Sequence, residues 1–409
     1  MNSRDTNCVS VLTPSGRGAV AVVAVEGSAA LISVDRYFQA VNGRSLSEQP
    51  LGRIVYGHWG DADSPSKIGE DLVVCRRSSE RLEVHCHGGR QSSAQIVSDL
   101  TADGCSVIQA DEWLAHHHDC PLTASAHRAL AKATTLRTAT ILLDQYHGAL
   151  RCEVEAIEIE LSAGKTAEAR DRIEHLVQYG QLGRHLNEPW RVVIAGLPNV
   201  GKSSLINALV GYQRAIVFDQ PGTTRDIVSS NTAIEGWPVE LSDTAGLRET
   251  SLTSEIEGIE SAGIALARQR ILAADLVIWV LDAAALSPAR DLSNRNRAEQ
   301  QAQAARAGLD FEKTLIVINK IDVAESHTDQ GSQSVGTCAV SGEGIGRLLE
   351  EIVARLVPRI PPPNAAVPFT VAQVEVLQAA LDAIGKQDRF TASTILRSWL
   401  AGRLAPPFP

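Results

Sequence analysis

The chain has 409 residues, of which 44% are hydrophobic and 21% charged, with a formal net charge of −10. That length is too great for one ordinary core, so two or three domains are expected. The acidic total and the lack of any Lys/Arg run longer than Arg76-Arg77 give no electrostatic sign of a nucleic-acid surface. No apolar run reaches the ~18 residues of a membrane span, and the start, MNSRDTNCVSVL, lacks the basic-then-apolar layout of a secretory signal, so a cytoplasmic location is expected. Seven scattered cysteines without a C-x-x-C argue against a disulfide framework or a zinc ribbon.

Residues 1–118 read as an α+β domain. The run GAVAVVAV (18–25) follows the turn residues TPSGRG, and LGRIVYGHW, EDLVVCRR and RLEVHCHGG are further strands. SSAQIVSDLTADG predicts a helix stopping at Gly104. From about 121 to 187 an Ala-rich pattern with apolar residues three and four apart predicts two or three helices. After 190, apolar strands WRVVIAG, LVIWVLD (276–282) and TLIVINK (314–320) alternate with helical stretches, the pattern of a parallel sheet covered on both faces. VPRIPPPNAAVP (357–368) reads as a linker, and two short helices close the chain.

The chemistry is concentrated in this α/β segment. G-x-x-x-x-G-K-S spans Gly196 to Ser203 between a buried strand and a helix. Glycines admit phosphate oxygens to backbone N–H groups at a helix N-terminus, Lys202 reaches the β- and γ-phosphates, and the Ser203 hydroxyl suits Mg²⁺. LSDTAG (241–246) places Asp243 to hold that metal through water and Gly246 to meet the γ-phosphate, while Thr224 of GTTRD supplies a second hydroxyl for Mg²⁺. In NKID (319–322) the Asp322 carboxylate accepts from the two N–H donors on one edge of guanine, which adenine lacks, and Asn319 braces the loop. These four signals, in this order, imply a GTPase. CAVSGEG (338–344) resembles the guanine-stacking loop of GTPases, with Cys338-Ala339-Val340 where Ser-Ala-Lys is usual. The GTP-binding set is completed by Asn199, Val200, Gly201, Ser204, Phe218, Thr223, Thr244, Ala245 and Lys320. Leu247 stands where Ras-like enzymes carry a water-orienting Gln. Glu255, Glu257 and Glu260 follow, and charge alone does not choose among them or exclude an exposed acidic first turn.

GLPNVGKSSLINALVGYQRAIVFDQPGTTRDIV and LSDTAGLRET…EIEGIE resemble the tRNA-modification GTPases called MnmE or TrmE, and DTNCVSVLTPSGRGAVAVV and EDLVVCRRSSERLEVHCHGG resemble that family's first domain. The resemblance implies an N-terminal dimerisation domain (1–118), a helical domain (119–187 and 359–409) and an α/β P-loop GTPase domain (188–358) inserted within it. It also implies a homodimer that hydrolyses GTP with K⁺ as activator and, with a flavoprotein partner of the MnmG or GidA type, modifies the wobble uridine of certain tRNAs. By the same resemblance Asn199 and the loop positions Phe218, Gln220 and Thr223 ligate K⁺, and Glu255 is the catalytic residue that orients water, alongside Lys202. Members also hold a tetrahydrofolate derivative in the first domain. Of its aligned contacts only Glu83 is retained: Ala24 replaces an Arg, the HHHDCPLTASAH region lacks a Lys, and the ending LAPPFP carries no Cys-Ile-Gly-Lys motif. Those departures leave two readings of Glu83, a folate contact or a polar residue on the outer face of a strand. They also leave a rival function, a GTP-dependent switch or dimeric scaffold without the modification chemistry. His85, His87 and the run His116–His118 suit solvated or packing roles better than zinc, because Cys86 points away from its strand neighbours.

Overall fold

The computed structural model describes residues 7–14, 18–60, 69–118, 120–212, 215–217, 229–243, 269–286, 312–323 and 334–402. The chain divides into two compact units, Met1–Asp119 and Cys120–Pro409.

The first unit is built on a seven-stranded sheet: β1 (Cys8–Val11), β2 (Val20–Glu26), β3 (Phe38–Ala40), β4 (Ile54–Trp59), β5 (Glu70–Arg76), β6 (Arg81–His87) and β7 (Ser106–Val107). Their spatial order is β3-β4-β5-β6-β2-β1-β7, and all pairs are antiparallel except β1 with β7. Alternation sends Val23, Val25, Val74, Leu82 and Val84 to one core, where they meet Ala30 and Val34 of α1 (Ala30–Tyr37) and Ile96 and Leu100 of α2 (Arg90–Ala102). Each such aliphatic side chain contributes about 1.5–3 kcal/mol on burial. The α2 helix ends where expected, at a Gly104 with φ of +93°. A further helix, α3 (Ala110–His116), escapes a periodicity reading because it has only two turns; it brings the fully buried Trp113 under the Arg81 guanidinium, 5.7 Å from the ring centre.

The second unit begins with five helices rather than the two or three expected: α4 (Pro121–Lys132), α5 (Leu136–Tyr146), α6 (Ala149–Ser162), α7 (Thr166–Gln178) and α8 (Gly180–Arg184). The extra breaks have local causes. Thr135 caps α5 by accepting from the Thr138 amide, and Gly148 and Gly164 take φ values of +103° and +81° at the turns on either side of α6.

A second seven-stranded sheet follows: β8 (Trp190–Gly196), β9 (Ala215–Val217), β10 (Ser229–Ile234), β11 (Trp237–Asp243), β12 (Leu276–Asp282), β13 (Thr314–Asn319) and β14 (Ser334–Thr337). Its order is β14-β13-β12-β8-β11-β10-β9. Strands β14 to β11 are parallel, but β9 and β10 turn the edge antiparallel, so the sheet is mixed and not the wholly parallel one expected. The hairpin between β10 and β11 needs only Glu235 and Gly236, both at positive φ, and two residues are too few for a parallel crossover.

Four further helices are α9 (Lys202–Gly211), α10 (Ile345–Leu356), α11 (Val371–Gly385) and, last, α12 (Arg389–Leu400), of which α9 and α10 cover the sheet. The terminal pair, α11 and α12, packs on α7 and α6 respectively. The Pro-rich stretch is not a solvated linker: Val367 and Phe369 are buried in the same core as Leu150, Ile157 and Leu377.

Candidate nucleotide-binding site

The β8 strand lies between β11 and β12 at the sheet centre, and its apolar residues are buried from Val192 to Ala195. Its C-terminal end is therefore a crevice mouth, the place where open α/β sheets take ligands. Two glycines shape the loop beyond it. Gly196 has φ of +148°, and a Cβ there would strike the Val280 carbonyl; Gly201, at +93°, is the N-cap of α9, and a Cβ would strike the Asn319 amide. Asn199 adopts φ of +66° without being glycine and is exposed.

The Lys202 side chain is buried to 6% exposure and donates to the Leu197 carbonyl at 2.9 Å, folding its ammonium back over the loop. Ser203 donates from Oγ to Asp243 Oδ2 at 2.9 Å, which joins the start of α9 to the end of β11. That hydroxyl and carboxylate, both hard oxygen donors, fit Mg²⁺. Val200 is buried and Ser204 exposed.

Asn319 is the hub between two loops. At 2% exposure it donates to the Val200 carbonyl (2.9 Å) and accepts from Thr337 Oγ1 and the Ala339 amide (both 3.2 Å). One carboxamide thus binds the phosphate loop to the 338–340 loop. Asp322 is exposed in the 3₁₀ turn Ile321–Val323. Cys338 is buried, its Sγ accepting from the Ser341 amide at 3.4 Å, and its amide donates to the Glu343 carbonyl; Val340 is 92% exposed. Lys320 donates to the Asn199 carbonyl at 2.6 Å and to Asp282 Oδ2 at 2.8 Å. Asp282 was missed in the sequence, although a carboxylate closing the apolar strand LVIWVLD at the ligand-bearing edge was a usable signal. Phe218, Gln220, Thr223, Thr224, Thr244, Ala245, Gly246 and Glu255 lie outside the described residues.

In the first unit Glu83 is not on an outer face. It is 8% exposed, opposite the fully buried Ala24 and beside Cys75. Arg77 pairs with it at 2.7 Å and Arg81 at 3.3 Å, and His85 lies at 3.5 Å. Burial by itself raises the Glu83 carboxyl, but the Arg77 hydrogen bond and charge, then Arg81 and His85, more than offset it and hold it below the ordinary range. The carboxylate is thus committed to two guanidinium groups. His87 and His117 bond to Glu70 and Glu26, each at 2.8 Å. Among the described residues no group of three or more His, Cys, Asp or Glu side chains could hold a metal, and no helix is long and apolar enough to cross a membrane.

Residues 191–320 match the 50S ribosome-binding GTPase family. The chain is 32% identical over 308 residues to a tRNA modification GTPase MnmE of Geobacillus thermodenitrificans, covering 66% of each protein. It is 30% identical over 389 residues to the Geobacillus kaustophilus protein of that name, covering 85% of this chain and 80% of the relative. For the Bacillus subtilis protein of that name the identity is 28% over 385 residues, with 84% and 80% covered. Among solved structures, the G domain of the T. maritima FeoB iron transporter is 27% identical over 41% of this chain and 99% of that domain, with a TM-score of 0.28. With the glycine loop joined by hydrogen bonds to Asp243 and to the 319–320 and 338–340 segments, the chain belongs to the tRNA modification GTPase MnmE family and is a GTP-hydrolysing enzyme.

Proposed function

We propose that the chain is a Mg²⁺-dependent, K⁺-stimulated GTP hydrolase acting in modification of the tRNA wobble uridine. The observation that carries the reading is a pair of hydrogen-bonded sets flanking one glycine loop, Ser203–Asp243 and Val200–Asn319–Ala339, which supports a preorganised guanine nucleotide site. Lys202 and the loop amides hold the phosphates, Asp322 reads guanine, and Ser203 with Thr224 holds Mg²⁺. Asn199 with Phe218, Gln220 and Thr223 forms the K⁺ set, and Glu255 orients the attacking water. When bound, the two cations neutralise charge developing on the transferred phosphoryl group and its bridging oxygen, the task of an arginine finger elsewhere.

The packing of α11 and α12 on α7 and α6 supports a helical domain (119–187 and 359–409) interrupted by a GTPase domain (188–358). By family resemblance residues 1–118 form the dimerisation domain of a cytoplasmic homodimer, and tRNA and a MnmG-type flavoprotein are the partners. The state of Glu83 favours a second reading, a GTP-dependent switch or scaffold without folate-linked chemistry.

Steady-state GTP turnover in KCl against NaCl tests the assignment, with Lys202→Ala as control. Turnover should be faster in KCl and should fall at least about a hundredfold in the variant, as when a preorganised oxyanion donor is lost. Equal rates in the two salts would remove the K⁺ claim, and normal turnover by Lys202→Ala would remove the site.

A further inference from the structure

Five non-glycine residues among those described have positive φ, and two of them, Asn199 (66°) and Lys320 (62°), are joined by a single hydrogen bond. Left-handed backbone is unfavourable for a non-glycine residue and persists where the surroundings over-determine it. Here the Lys320 ammonium, on the base-reading loop, grips the carbonyl of Asn199, on the phosphate loop, at 2.6 Å.

A lysine side chain is a flexible stem with a freely rotating head, so one hydrogen bond does not fix it. Asp282 supplies the second point of attachment. Its Oδ2 takes the ammonium at 2.8 Å, while its Oδ1 accepts from the Ala284 amide at 2.9 Å, which locks the carboxylate at the end of β12. The Asp282 side chain is 23% exposed and that of Lys320 39%, so the pair is only partly screened by solvent. Three strand ends, β8, β12 and β13, thus meet on one ammonium group.

We propose that Asp282 is a positioning residue for guanine nucleotide: by clamping Lys320 onto the Asn199 carbonyl it holds the phosphate loop and the base-reading loop in register. The inference rests on the GTP-site reading above and adds to it a residue that acts through Lys320 without touching the nucleotide. Preorganisation by the clamp lowers the ordering cost of binding, so its loss appears as weaker affinity.

A double-mutant cycle in the full-length chain, read as GDP affinity by competition with a fluorescent N-methylanthraniloyl GDP, tests this. Asp282→Ala should weaken GDP binding about tenfold, as expected for loss of a charge-assisted, partly buried hydrogen bond, and Asp282→Asn should weaken it less. In a Lys320→Met background, removing Asp282 should cause no further loss. A purely structural Asp282 would instead give losses that multiply, and that outcome, or wild-type affinity in Asp282→Ala, overturns the proposal. Should Asp282→Ala unfold, Asp282→Asn carries the same cycle. Failure of the wild-type chain to bind GDP would overturn the nucleotide site itself, and the clamp with it.

Discussion

Glu83 shows how much a single carboxylate depends on the groups packed around it. Its partners are Arg77, on the far side of the β5–β6 turn, and Arg81, two residues earlier on its own strand, whose guanidinium lies over Trp113 of α3. The strand alternation in RLEVHCH was legible, but it does not reveal that the opposite face is covered too, because that depends on a seven-residue helix without a sequence signature. The depressed carboxyl carries a definite pH sign. A folded-state value below the unfolded value, about 4.3, contributes stability that is present above that pH and lost as the pH falls through the folded value. Glu83→Gln should therefore cost about 1–2 kcal/mol at pH 7, the lower part of the range for charged hydrogen bonds because both arginines keep solvent contact. Urea unfolding of the two proteins should give curves that converge as the pH drops below 4.3. A deficit that persisted unchanged at low pH would mean that shape, and not charge, is what Gln fails to replace. The glycine spacing of the loop was legible as a tight turn feeding a helix, and Gly196 and Gly201 take the positive φ that it requires, whereas Asp282 makes its contacts through another side chain and has no such spacing.

At the scale of elements, the segment between α10 and α11 shows why composition alone misleads. Prolines at 358, 361, 362, 363 and 368 read as a linker, yet the backbone is held at several points. Buried Gln145 of α5 donates to the Ala365 carbonyl at 2.9 Å and accepts from the Val367 amide at 3.1 Å, and Asp144 accepts from the Asn364 amide at 2.8 Å. Gly183 of α8 lets the Pro368 carbonyl approach where any Cβ would collide with it. Phe369 and Thr370 then lead into α11 through a capping box closed by Gln373. Proline rigidity serves this seat, because an extended strap loses little entropy on docking. Replacing Gln145 by Leu keeps the volume but leaves one backbone donor and one acceptor without partners, at about 2–3 kcal/mol in total. Hydrogen exchange should show the Val367 amide losing its protection in that variant while the β8 amides keep theirs. Unchanged protection at Val367 would show that apolar burial of Val367 and Phe369 suffices to hold the strap. The helix breaks at Thr135, Gly148 and Gly164 were present in the sequence as a cap and two glycines, but hydrophobic period counting runs across them and merges neighbouring helices.

At the scale of the whole molecule the question is whether the first unit still does what its relatives' names describe. The nucleotide machinery in the second unit is dense in specific contacts, whereas the one retained folate-aligned residue of the first is consumed by its own ion pairs. The discriminating measurement is therefore made on the intact protein in its host. Mass spectrometry of tRNA wobble uridines in a deletion strain should show the modified nucleoside depleted severalfold. The wild-type chain should restore it. Lys202→Ala should not, because its first unit is intact but its phosphate site is disabled, and this arm separates a requirement for GTP turnover from a requirement for the protein's presence as a scaffold. Restoration by Lys202→Ala would assign the chain to the scaffold reading. Unchanged wobble modification in the deletion strain would uncouple the GTPase from tRNA altogether and favour the switch, consistent with a first unit whose retained carboxylate has become a structural ion pair.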